Sequence, residues 1–268
     1  MTLHESVSPA ETRRREAFLQ LARVVGALLH ESQRERGVSA LHVKSGRRLF
    51  AADLAAQRAR TDARARGAKE LVASIGSTLF GDAPGALDRL GAATRDVAAV
   101  RGEMERSLAT SDRVLSVFSL LNAELLAAVD DGAAHVSEGE VRCLAFASLA
   151  LLHAKEKTGV ERARLGAAFI AGGLDLSDRL ALAELVAART SYLHMYAMTA
   201  PVPVAQMLRR VLAAPPAVEV RRIEDRVSAP HARVTTIDAA AWFSTITRKI
   251  EMLGDVADAT LSYFPHAS

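Results

Sequence analysis

Apolar residues recur at intervals of three and four through Phe18, Ala22, Val25, Leu29, Ala40 and Val43, the period of a helix with one buried face. Just upstream, Ser8, Pro9 and Glu11 supply a serine N-cap, a first-turn proline and an acid three residues past the cap. The spacing predicts a first helix from there to about Lys44. Gly46 permits a turn, and a second helix is expected from Arg47 to Leu79, ahead of the breaker run Gly81, Asp82, Ala83, Pro84, Gly85. Third and fourth helices are expected over Ala86–Leu108 and Asp112–Val129, with Thr110 and Ser111 as cap candidates and Asp130, Asp131 and Gly132 as the stop.

Ser137 and Glu140 have the spacing of a second capping box, opening a long helix toward Ala171, where Gly172 and Gly173 end it. Ser177 is the expected cap of the next helix, which ends before Pro201. Pro201, Pro203, Pro215 and Pro216 divide the adjoining stretch into short helices. Val227 to Ile237 reads as a loop or short extended piece, and Asp238 caps a last helix running through Trp242 to about Tyr263. No repeat or flexible linker interrupts this order, so the expectation is an all-α chain of two packed helical bundles forming one compact unit over residues 8–264.

Composition narrows the picture. Half of the residues are hydrophobic but only 4% are aromatic, so Ala, Leu and Val must supply most of the packing, which suits closely packed helices. Thirty-four Lys and Arg against thirty-one Asp and Glu leave a net charge of +3, and the pI of 9.3 is no sign of nucleic-acid binding by itself. The basic run Arg58, Arg60, Arg64, Arg66 is interspersed with acids, as on a solvated helix face. Cys143, the lone cysteine, lies in an apolar run and is expected to be a small buried side chain. The N-terminus lacks a secretory apolar core and no stretch offers ~20 apolar residues, so a cytoplasmic location without a membrane span is expected. HExxH, CxxC and phosphate-binding glycine loops are missing from the sequence, and the spacing of Glu156 and Glu161 turns them to different helical faces. An enzyme, a metal and a cofactor are therefore not expected.

Two arginines stand where the stripes call for apolar residues. Arg36 is seven residues after Leu29 and seven before Val43, and so points at the same core. On the later long helix, Val141, Leu144, Ser148, Leu151, Lys155, Thr158, Arg162, Leu165 and Phe169 form one stripe, and Arg162 faces inward with it. A buried guanidinium needs a carboxylate, carbonyls, water or an anion. Periodicity alone favours an ordinary answer: Arg36 pairing with a glutamate such as Glu161 or Glu35, or snorkelling to the surface. Gly37 and Ser39 beside Arg36, and Gly159 and Gly166 about Arg162, leave room at a cost in helix propensity. Close helix packing explains each glycine equally well.

Three segments then add a different kind of information: QRERGVSAL at Gln33 to Leu41, QRARTD at Gln57 to Asp62, and KEKTGVERARL at Lys155 to Leu165. Together, and in this order, they resemble the nitrate- and nitrite-sensing NIT domain, and the helix carrying Ala241, Trp242, Phe243, Thr247 and Arg248 is similar to that family's closing element. The resemblance implies two four-helix bundles and a sensory, non-catalytic role. It also implies that Arg36 and Arg162, with Gly37 and Ser39 beside the first, hold a small inorganic anion, nitrate or nitrite. A third arginine from the later helices is expected on chain position, and Arg222 is the candidate. Sensors of this type are usually joined to output modules, so the signal is expected to pass through the closing helix to an output domain missing from this sequence, to a separate output protein or to a second copy of the chain. The rival reading is a ligand-free helical scaffold or protein-interaction module.

The ligand chemistry is simple. Nitrate is a planar monoanion with three acceptor oxygens, and a guanidinium offers a planar fork of donors, a bidentate match that lysine cannot give. Two arginines on separate helices repel when the site is empty and are bridged when it is full, which supplies a difference between two states.

Overall fold

The computed structural model describes residues 8–80, 85–136, 139–229 and 237–264, which hold helices and no strand. The first helix, α1 (Pro9–Lys44), opens where the cap spacing puts it, with the Glu11 N–H donating to Ser8 Oγ at 3.2 Å. The second, α2 (Leu54–Phe80), starts later than Arg47. Gly46, Arg47 and Phe50 all adopt left-handed φ values (64°, 69° and 59°), so the chain folds back on itself before turning helical. The excursion carries Phe50 to Phe243, with ring centroids 4.8 Å apart. Arg47 donates to the Met104 carbonyl.

Helix α3 (Gly85–Glu105) is followed by α4 (Ser111–Ala134), whose N-cap Thr110 accepts from the Arg113 N–H. Asp130, Asp131 and Gly132 do not stop α4. Gly132 is buried, and a Cβ there would lie 2.9 Å from Leu21 Cδ2, so this glycine serves close packing on α1. Helix α5 (Glu140–Ala171) takes Gly139 as its N-cap, with no side-chain cap, and ends on left-handed Gly172. Ser137, the expected cap, lies outside the described residues. Helix α6 (Leu176–Thr199) is capped by Asp175 in a reciprocal box with Asp178, two residues before the expected Ser177. The prolines open two short helices, α7 (Val202–Ala213) and α8 (Pro215–Ser228), each with a proline in its first turn. Of the expected loop, Val227 and Ser228 are the end of α8, and 230–236 lie outside the described residues. Asp238 caps the last helix, α9 (Ala239–Leu261), as its position predicts.

Two bundles result. Helix α1 packs on α2 and α4, and α3 on α4, around Phe18, Leu21, Val100, Phe118 and Leu125. In the second bundle α5 packs on α6 and α9. There α8 covers the first half of α9 at Trp242 and Ile246, and α7 covers the second half at Leu253 and Val256. Each such fully buried Leu, Ile or Phe contributes ~1.5–3 kcal/mol. The bundles are joined by α1 lying on α5 and α9. Cys143 is exposed, contrary to expectation: Val141, Leu144 and Ala145 take the core-facing positions of that turn. Among the described residues no helix is long and apolar enough to cross a membrane.

Candidate functional site

Arg36 and Arg162 are both buried, at 0% and 1% exposure, where α1 crosses α5. Each passes a glycine of the other helix. A Cβ on Gly159 of α5 would stand 3.0 Å from an Arg36 terminal nitrogen, and one on Gly37 of α1 would stand 3.2 Å from Arg162 Nε. Gly159 thus leaves room for a guanidinium, while Gly37 leaves room first for the Phe243 ring of the last helix, whose Cε2 would stand 2.7 Å from such a Cβ, and then for Arg162.

The two cations are treated differently. Arg36 forks onto Glu156, one terminal nitrogen to Oε1 at 2.5 Å and the other to Oε2 at 3.3 Å, and also reaches Ser119 Oγ at 3.1 Å. Glu156 Oε2 accepts in addition from Gln33 Nε2 at 2.8 Å and Asn122 Nδ2 at 3.1 Å. Arg162 finds neutral partners: the Thr247 hydroxyl at 2.9 Å, the Gln33 carbonyl at 2.6 Å, and the Phe243 ring, whose centroid lies 4.8 Å below its guanidinium carbon. Among the described residues no carboxylate is within ion-pair distance of Arg162. Its Nε, like that of Arg36, is buried without a hydrogen-bond partner. Burial, then the neighbouring charges of Arg36 and Arg34, pull the Arg162 guanidinium down to about 9, so it remains a cation at neutral pH. Trp242 Nε1 donates to the Arg162 carbonyl and fixes α9 against this turn of α5. A cleft of about 670 Å³, lined by Ser116, Ser119, Val160 and Arg164 among others, reaches Arg36 from outside.

The family model described as nitrate and nitrite sensing matches residues 27–262, nearly the whole chain and all the residues just named. The chain belongs to that family. A solved structure of the NasR transcription antiterminator shares its fold, with a TM-score of 0.81 over 95% of this chain and 70% of that one, at 20% identity. No curated protein matches.

Within this nitrate- and nitrite-sensing domain, the residues expected at the site separate into two groups. Arg36, Arg162 and Gly37 come together, and Ser39 is buried on the same stretch of α1 with its hydroxyl unpartnered. Arg222 does not join them: it is exposed on α8 and forks onto Glu219 one turn away, at 2.7 and 2.8 Å. Neither expected glutamate pairs with Arg36. Glu35 is held by Arg101 at 2.7 Å through both oxygens, and Arg101 also binds Asp62 of the second motif, tying α1, α2 and α3. Glu161 binds Arg189, which reaches Glu224 at 2.8 Å, with Lys249 3.5 Å from Glu224. Burial pushes the Glu161 carboxyl well above the usual carboxylate range against the pull of Arg189. Gly166 packs on Leu41 and serves helix contact.

Glu156, Asn122, Ser119, Gln33, Thr247 and Phe243 were not singled out as site residues from sequence. Asn122 carried a usable signal, a fully buried amide interrupting the α4 stripe of Phe118, Leu121 and Leu125. One further group faces a separate cavity of about 290 Å³ between α1, α5 and α9. Lys155 lines it beside His30 and Gly254, 4% exposed and with no hydrogen-bond or ion-pair partner among the described residues. Burial pulls its ammonium down to about 8, opposed by Asp258 and Asp255.

Proposed function

We propose that this domain binds nitrate or nitrite between Arg36 and Arg162 and signals through a change in the packing of α1, α5 and α9. The observation that carries the reading is Arg162: a fully buried guanidinium whose partners are all neutral, beside a second buried guanidinium. Such a cation is costly unless an anion accompanies it. The unpartnered Nε donors of both arginines and the lone Ser39 hydroxyl offer hydrogen bonds to a trigonal oxyanion. Bound anion would also be fixed to α9 through Thr247, which shares Arg162. That makes α9 the natural lever toward an output partner, by analogy with the antiterminator that shares the fold.

Calorimetric titration with nitrate, nitrite, chloride and sulfate tests the reading, with hydrogen exchange across α9 on the same samples. Binding of nitrate or nitrite by the wild type, lost in Arg162→Ala at unchanged helical content, is expected, together with altered protection in α9. Wild-type affinity in Arg162→Ala rules that residue out. A second reading, a ligand-free scaffold, draws on the Arg36–Glu156 pair, which already satisfies one of the two cations. No binding of any of the four anions to folded protein would establish it.

A further inference from the structure

Glu156 does more than occupy Arg36. Its carboxylate carries one negative charge and is gripped by two guanidinium nitrogens, the Gln33 amide and the Asn122 amide. The Asn122 amide cannot turn around without loss, because its Oδ1 accepts from the Ser32 hydroxyl at 2.6 Å. As the groups are oriented, each one facing the carboxylate donates to it. Ser32, Gln33, Asn122 and Glu156 are all buried. An anchored carboxylate of this kind is a permanent part of the charge of the site.

Two buried guanidinium cations and one buried carboxylate leave the three groups with a net charge of one positive. A monoanion brings that to zero. A dianion overshoots to one negative charge, which burial penalises as strongly as the original positive one. We propose that Glu156 is the residue that restricts this site to monoanions, acting as a charge selector that stays in place when ligand binds. The inference rests on the anion-binding reading above and adds the rule by which the site rejects sulfate and other dianions. It also explains why a site with two arginines, otherwise suited to divalent oxyanions, keeps an acid at its centre.

The test compares sulfate with perchlorate, which share a tetrahedral shape and differ by one charge, and uses nitrate as the reference ligand. In calorimetry the wild type is expected to bind nitrate and to prefer perchlorate to sulfate. In Glu156→Gln, which keeps the shape and raises the site to two net positive charges, the sulfate-to-perchlorate affinity ratio is expected to rise at least tenfold. If the carboxylate were instead displaced by ligand, removing it would strengthen all anions alike and leave the ratio unchanged. That result overturns the selector. Should Glu156→Gln fail to fold, the wild type still decides through its affinities for sulfate and perchlorate. Equal binding of sulfate and perchlorate by the wild type overturns the selector alone, whereas no nitrate binding by the wild type overturns the underlying reading.

Discussion

Replacing Lys155 with Met isolates the cost of one buried amine. The two side chains are of similar length and helix propensity, so the change removes a charge and little else. Lys155 lies at about 8, against 10.5 for a free lysine, because burial disfavours its charged form. At ~1.4 kcal/mol per pH unit, that depression corresponds to about 3 kcal/mol of stability lost while the amine is protonated. A lysine lowered by folding costs its full amount below the folded-state value and regains it as pH rises toward the unfolded value. The cost is therefore complete below about pH 8 and gone by about pH 10.5. Lys155→Met is expected to be more stable than wild type by up to about 3 kcal/mol at pH 7, with the difference shrinking between pH 8 and 10.5. Urea denaturation of both proteins across that range is the assay. The difference between the two curves is the quantity to follow, since Lys249, also lowered by burial beside Arg189, changes the wild-type curve in the same direction. A Lys155→Met protein no more stable than wild type at pH 7 would refute the reasoning and mean that the cavity beside Lys155 solvates the amine.

Arg36→Met is expected to cost about 3 kcal/mol, since it strands Glu156 with two amides as its remaining donors, and the double variant Arg36→Met/Glu156→Met is expected to recover most of it. Urea midpoints of the single and double variants decide, and equal loss in both would show that the pair is not coupled. Gly159→Ala gains ~1 kcal/mol of helix propensity but presses on Arg36, so a near-neutral change in melting temperature with at least tenfold weaker nitrate binding is expected by calorimetry. Full affinity in that variant would show that Arg36 has room to give way.

The order of helices was legible because it depends on local periods and punctuation: the α1 cap at Ser8, the α9 cap at Asp238 and the proline breaks about α7 all act within a turn or two. Where expectation and structure part, a distant contact decides. Asp131 and Gly132 read as a helix stop, but α4 continues because Gly132 is wanted against Leu21. The α2 start moved because Phe50 is drawn to Phe243, some two hundred residues away. The inward arginines followed from stripe geometry, since each replaces an apolar residue on its own helix. Their partners did not, because Glu156 meets Arg36 across helices and Arg222 satisfies itself on α8. Cys143 shows the same weakness at single-residue scale: an apolar run gives the helix but not which flank of a turn faces water.

Glu161 and Arg162 are neighbours on α5, yet each belongs to a different buried charge cluster, and both clusters close on α9, one through Thr247 and the other through Lys249 two residues on. A shaft keyed on two sides cannot slip by a small angle. Any twist of α5 that re-aims Arg162 must also drag Glu161 from Arg189, and a half-turned position would leave charges of both signs stranded, at several kcal/mol each. Intermediate settings are thereby depopulated, and the shaft can rest only where both keys fit. Under the proposed function, this would make the mechanical reply stepwise: each molecule would be in one register or another, and a rising dose would change how many have clicked over rather than how far any one has turned.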